Sequence, residues 1–310
     1  MNTSATQLPL SDGEAPVTDA ITYGAVHLDV VDVDRSLHLW RDRVGLTELG
    51  RSADDVTLGA GGRTLVVLHG GAVRPQLRGH AGLYHVALHL PSESELARAI
   101  ARLAEAGVPQ APTDHVFSKA TYLSDPDGIG IELTLETPER VASFEIGPGV
   151  IALRDRDGRR RSPTEPLDVR EVLSHLDGSE LQQPLPDGTT VGHVHLHVPD
   201  LDRSRRFYRD VVGFADHMVM DEIGMADLSA GGRFPHRLAL NVWHGSGATQ
   251  PPPGTAGLRH FELVVRDRAA LVGVRGRLEA SGIAHDLDGD RVTTRDPAGN
   301  ALRIGFAADW

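Results

Sequence analysis

The chain has 310 residues, room for two ordinary domains, and is 40% hydrophobic and 24% charged with a formal net charge of −12. That acidity excludes nucleic acid and an anionic membrane as main partners, because both select basic surfaces. The absence of cysteine excludes disulfides, thiolate metal sites and cysteine nucleophiles, so any metal must be held by carboxylates and the 16 histidines.

Residues 1–20 are polar, contain Pro and Gly, and are expected to be a disordered tail. No secretory leader is read there, and no apolar run approaches the roughly 20 residues that span a bilayer. The expected location is the cytoplasm. An alternating strand then leads into GAVHLDVVDVDRS at 24–36, with a helix expected over Ser36–Arg43. Gly61 and Gly62 turn the chain into a strand at Arg63–Leu68. A second unit opens with AGLYHVALHLP at 81–91, continues through the helical ELARAIARLAEAGV, and closes on SDPDGIGIEL at 124–133.

Residues 137–189 break the pattern. They carry the charged, turn-rich DRDGRRRSP and are expected to be a linker with a short helix near Val169–His175 and no site of its own. The earlier pattern then returns. GHVHLHVPDLDRSRRFYRDVVGFADH at 192–217 repeats 24–49 through V-H-L-x-V-x-D-x-D-R-S and R-D-x-V-G, predicting a helix over Ser204–Arg209 and a strand over Arg237–Val242. After the stiff connector PPPGT at 251–255, AGLRHFELVV, ALVGVRGRLEASGI and RDPAGNALRI repeat the second unit. The chain therefore reads as four βαβββ modules of an α+β fold, at about 21–72, 80–136, 190–245 and 256–307. Modules one and two make an N-terminal domain (21–136) and modules three and four a C-terminal domain (190–310).

In GHVHLHVPD at 192–200, strand periodicity places His193, His195 and His197 on one face. A histidine on an inward strand face is more often a hydrogen-bonded core residue than a ligand. That bland role is the expectation for His27, His89, His195 and His197.

The stretches L-Y-H-V-A-L-x-L-P, Y-L-S-D-P-D-G-x-G-I-E-L and G-H-V-H-L-x-V-x-D-L resemble the vicinal oxygen chelate superfamily. Within it the chain is similar to catechol 2,3-dioxygenase-like type I extradiol dioxygenases, over roughly residues 21–306. The resemblance implies the glyoxalase/bleomycin resistance/extradiol dioxygenase fold, with modules paired into incomplete barrels around a metal.

In that family a metal-binding His opens the first strand of a module. The matching positions are Ala25, His85, His193 and His260. The carboxylate ligand follows the Asp of D-P-x-G by seven residues, at Glu132 in module two and at Arg303 in module four, and Arg303 cannot bind a metal. A full set thus arises only across the halves, as His85, Glu132 and His193, two imidazoles and a carboxylate as in non-haem Fe(II) oxygenases. A competing set replaces His193 with His27. His260, without its carboxylate, reads as a relic of duplication.

The family pattern further implies Tyr122 and His115 as groups contacting substrate oxygen and His236 as the acid–base catalyst. His69, the counterpart of His236 in module one, reads as structural or solvent-facing. Asn241 and Trp243 are candidates for the pocket wall. The expected function is Fe(II)-dependent extradiol cleavage of a catechol-type aromatic diol by O2 to a hydroxymuconic semialdehyde, with Mn(II) able to replace Fe(II). The alternatives are a non-redox glyoxalase-type isomerase or lyase and a protein that only binds an aromatic compound. Exposed strand edges lead to the expectation of a homo-oligomer.

Overall fold

A computed structural model describes residues 19–147 and 150–307. Residues 1–18 of the expected tail lie outside them. Module one holds β1 (Ile21–Asp29), α1 (Val33–Leu39), β2 (Thr47–Arg51), β3 (Asp55–Ala60) and β4 (Arg63–His69). Module two holds β5 (Gly82–His89), α2 (Glu93–Glu105), β6 (Ala111–Asp114), β7 (Ser118–Ser124) and β8 (Gly130–Glu136). Between the halves lie β9 (Val141–Gly147), β10 (Val150–Asp155), β11 (Arg160–Arg161), β12 (Glu165–Pro166) and α3 (Val169–Leu173). Module three follows with β13 (Thr190–His197), α4 (Leu201–Arg206), β14 (Ala215–Met220), β15 (Met225–Ser229) and β16 (Leu238–Asn241). Module four contains β17 (Gly257–Val265), α5 (Arg268–Ala280), β18 (His285–Asp288), β19 (Arg291–Arg295) and β20 (Ala301–Phe306).

Helices α1 and α4 begin at Val33 and Leu201, ahead of the Ser36 and Ser204 starts read from sequence. The carboxylates of Asp32 and Asp200 accept the amides of Arg35 and Arg203 at 3.0 and 2.9 Å, and a helix starts where its orphan amides find such an acceptor. Ser36 and Ser204 are buried inside the first turns instead.

The modules pair across the two halves of the sequence. Modules two and three form a nine-stranded sheet in the order β12-β6-β7-β8-β5-β13-β16-β15-β14. Modules one and four form an eight-stranded sheet, β18-β19-β20-β17-β1-β4-β3-β2. At the seam of the first sheet β5 runs antiparallel to β13, and at the seam of the second β1 runs antiparallel to β17. Both sheets are open. Strand alternation sends Val26, Leu28, Val86, Leu88, Val194 and Leu196 into a common core, where each is fully buried. The histidines between them therefore face the other way, into the hollow of each sheet.

Residues 137–189, expected to be a linker, are folded. Strands β9, β10 and β11 make a small sheet, β12 extends the nine-stranded sheet beside β6, and α3 falls within the expected helical stretch. Charge pairs hold this segment down. Arg140 reaches Asp114 at 2.8 Å, Arg161 reaches Glu165 at 2.6 Å and Arg160 reaches Glu145 at 2.9 Å. Strands β11 and β12 have two residues each and leave no periodic trace, so the Arg-rich stretch beside them reads as solvated chain, while the longer β9 and β10 match no module of the repeat. Among the described residues no helix is long and apolar enough to cross a membrane.

Candidate active site

The seam of the nine-stranded sheet builds the site. On β13 the register shifts at Gly192, placing His193 opposite Ala87 and His195 opposite His85. A Cβ at Gly192 would lie 2.0 Å from the His89 ring, so only glycine lets that imidazole sit behind His193. Strand β8 runs parallel to β5 and sets Glu132 beside Ala87. As a result His193 Nε2 and His85 Nε2 lie 3.0 and 3.1 Å from Glu132 Oε2 and 3.2 Å from each other. All three residues are buried.

The hydrogen bonds behind these atoms determine where the lone pairs point. Glu136 Oε1, an acceptor only, takes the His89 Nδ1 proton at 2.6 Å. With neutral rings, His89 Nε2 then accepts from His193 Nδ1 at 3.0 Å. His193 Nε2 is left with a lone pair aimed at a carboxylate. Burial pushes the His193 imidazole well below its ordinary range and keeps it neutral. Glu132 Oε2 and His85 Nδ1 are buried without a well-aligned hydrogen bond. Converging lone pairs around a buried carboxylate are costly unless a cation lies among them. Donor separations of 3.0–3.2 Å match ligands set about 2.1 Å from a first-row ion at right angles. These residues fit a divalent metal bound on one face by two imidazoles and a carboxylate.

A cavity of about 350 Å³ adjoins this cluster, with His85, Glu132, Tyr122, His115, His195 and His236 in its wall. His236 stands with its ring 4.3 Å from that of His193, and its Nδ1 is 2.9 Å from Asp227 Oδ1, an ion-pair distance outside hydrogen-bond alignment. Burial alone pushes the His236 ring down, but the buried Asp227 carboxylate outweighs this and its proton affinity is raised. Tyr122 OH donates to His115 Nε2 at 2.9 Å, while His115 Nδ1 donates to the Pro163 carbonyl at 2.6 Å. Burial holds the Tyr122 hydroxyl protonated, well above its usual range. At the rim Trp243 is 46% exposed, packs edge-on against Tyr84, and donates from Nε1 to the Ile223 carbonyl.

Of the six residues expected from sequence, His85, Glu132, Tyr122, His115 and His236 line one cavity, and His193 joins them from behind through His85, Glu132 and His236. His27 lies in the other sheet, away from them. His89 and His197 are hydrogen-bonded core residues, as expected. Asn241 joins His197 Nδ1 and His195 Nε2 at 2.7 and 2.8 Å. His69 is buried and bonded to His27 and Asp55, in line with a structural role. Three features went unread in the sequence. Asp227 is a carboxylate in the inward run MADLS, and Glu136 shares a face of β8 with Glu132; either could have been noticed as a charge in a buried strand. The third is that Phe144, Ile151 and Pro163 of 137–189 line the cavity, which no local pattern signals.

Comparison with known proteins agrees with this geometry. The family model described as Glyoxalase/Bleomycin resistance protein/Dioxygenase superfamily matches residues 23–133, and one described as Bleomycin resistance protein-like N-terminal matches 190–231. The chain is 34% identical over 284 residues to a protein of Bacillus subtilis (strain 168) named catechol-2,3-dioxygenase, covering 90% of this chain and 94% of the relative. Among solved structures, a putative dioxygenase from Bacillus subtilis superposes with a TM-score of 0.59 at 14% identity, over 93% of this chain and 88% of that one. Glyoxalase I from Zea mays superposes at 0.57 and 16% identity, over 94% of each chain. At these identities the two structures show a shared fold. The module pattern, the two seams and the extent of the likeness to catechol-2,3-dioxygenase together make this chain a member of the vicinal oxygen chelate superfamily, of the catechol-2,3-dioxygenase-like group.

Proposed function

We propose that the chain is an Fe(II)-dependent extradiol dioxygenase that opens a catechol-type ring beside its two hydroxyls. The ring carbon–carbon bond breaks, both atoms of O2 enter the product, and a hydroxymuconic semialdehyde results. The observation that carries this reading is the convergence of His85, His193 and Glu132 to 3.0–3.2 Å at the wall of a cavity that also holds His236 and Tyr122.

Those three residues would hold the ion, which when bound couples electron release from the diolate to O2; Mn(II) suits the same donors. With Nδ1 turned to Asp227, His236 has Nε2 left to accept a hydroxyl proton from the diol and to return it as the ring opens. The Tyr122–His115 pair supplies a fixed hydroxyl that orients substrate oxygen. Phe117, Phe144, Ile151, Met218, Met220 and Met225 form the apolar wall, and among the described residues no Lys or Arg lines the cavity. Such a wall excludes water and suits an uncharged, apolar-substituted diol. The same reading takes the protein to act in the cytoplasm as a homo-oligomer, joined through sheet edges such as β14.

The test is anaerobic reconstitution with Fe(II), followed by catechol and air. The expected result is a yellow ring-fission product with one O2 consumed per diol. Tight metal binding with neither colour nor oxygen uptake would refute the proposal and leave the isomerase or lyase reading. Diol binding without any turnover would leave the binding-protein reading.

A further inference from the structure

The eight-stranded sheet has a convergence of its own, built from different positions. His27 on β1 lies opposite His260 on β17, their rings stacked with centroids 4.0 Å apart. Glu262, two residues along β17 on the same face, brings Oε1 to 3.3 Å from His27 Nε2. One ligating atom from each of His27, His260 and Glu262 lies within 4.8 Å of the other two. The carboxylate that Arg303 fails to supply thus comes from a residue no module template marks.

Four features point to a ligand here. First, Asp55 Oδ1 takes the His69 Nδ1 proton at 2.8 Å, so with neutral rings His69 Nε2 accepts from His27 Nδ1 at 2.9 Å. His27 Nε2 is then a bare lone pair facing a carboxylate. This is the relay found behind His193, made from an unrelated set of residues. Second, His260 is 7% exposed and its Nε2 is buried with no hydrogen-bond partner. A proton shared by His27 and Glu262 would leave that nitrogen unexplained. Third, Glu262 is fixed from behind, its Oε2 accepting the Ala25 amide at 2.9 Å where the β1 register slips. Fourth, a Cβ at Gly24 would lie 2.6 Å from Glu262 Oε2, so glycine makes the space the carboxylate occupies. Gly24 is the counterpart of Gly192.

We propose that His27, His260 and Glu262 form a second site for a divalent first-row cation, distinct from the His85 cluster, which pins β1 to β17 and serves structure rather than catalysis. All three stand on β1 and β17 of the eight-stranded sheet, not the sheet that carries the His85 cluster, and none lines the 350 Å³ cavity. The inference does not depend on the dioxygenase reading.

The experiment uses the full chain with the first site disabled by H193A and E132Q, stripped of metal and titrated with Zn(II) by calorimetry, with Co(II) absorption as a second probe. About one equivalent of each should bind, and Zn(II) should raise the unfolding midpoint by roughly 5 °C. Adding E262Q, which still accepts the Ala25 amide, should abolish both effects while the metal-free circular dichroism stays unchanged. H69Q in place of E262Q should weaken binding about 10- to 100-fold, the range for losing a group that orients a ligand. No binding after loss of the first site, or binding untouched by both E262Q and H69Q, would overturn the proposal.

Discussion

Each sheet joins one module from either half of the sequence, two with three and one with four, and holds a histidine cluster at the same kind of seam, but the sheets differ in what stands in front of those clusters. In the nine-stranded sheet the His85 cluster faces a cavity whose far wall comes partly from 137–189, through Phe144, Ile151 and Pro163. It also has His236 paired to Asp227 and Tyr122 bonded to His115. In the eight-stranded sheet the corresponding strands bring His27, His260 and Glu262 together, backed by His69 and Asp55, and none of these lines that cavity. A duplicated seam thus readily gathers ligands. A chemical site also needs volume and groups that move protons, and here those came from outside the repeat.

The largest expected effect separates the sheets outright. H193A should bring ring cleavage below detection, beyond the roughly 10²- to 10⁴-fold that one proton-transfer group supplies, while H27A should leave turnover near wild type in the oxygen-uptake assay. The reverse result would move the active site to the other sheet. Next, H236Q should lower kcat about 10²- to 10⁴-fold with bound iron unchanged by elemental analysis; parallel loss of iron would make His236 part of the metal's hold instead.

The relay behind His193 comes third. E136A removes the acceptor that sets the His89 tautomer and should weaken metal binding at the first site about 10- to 100-fold, leaving any Zn(II) bound by the His27 cluster untouched. Unchanged affinity would show that Glu136 sets no tautomer. F144A, which opens the wall the other sheet lacks, should raise KM for an alkyl-substituted catechol by roughly tenfold, with little change for catechol itself. Equal effects on both would indicate a packing role only.

The smallest effect is on acid stability. Burial, opposed by the bond to Asn241, depresses the His197 imidazole from 6.5 to about 4. The fold therefore favours the neutral ring: this stability is complete above 6.5 and is lost as pH falls from there toward 4. Unfolding midpoints measured across that window should fall less steeply in H197Q than in wild type, and identical slopes would refute the assignment.

Much of this arrangement is legible in one dimension. Period-two alternation marks β5, β13 and β17, whose inward faces are set by local geometry, and the motifs of the family the chain resembles mark His85, Glu132 and His193 on such strands. The pairing of modules two and three followed from where ligands were missing, at Ala25 and Arg303. Asp32 and Asp200 as helix starts were within reach, since a carboxylate caps more readily than a serine already inside the turn. Asp227 and Glu262 could be noticed only as charges in buried strands, and their roles were out of reach, because such a charge reveals its purpose only when its partner is known.

What the amino-acid order determined by itself is the module count, from motifs that recur along the chain, and the strand faces, from a backbone that repeats every two residues; the three ligand positions followed from the family those motifs resemble. Tertiary structure alone decided that 137–189 closes the cavity, that Asp227 supports His236, and that Glu262 replaces the carboxylate missing at position 303. Each depends on side chains brought together from different segments, adjacent in sequence for Asp227 and His236 and remote for the others, where packing and register, and not a motif, set the distance.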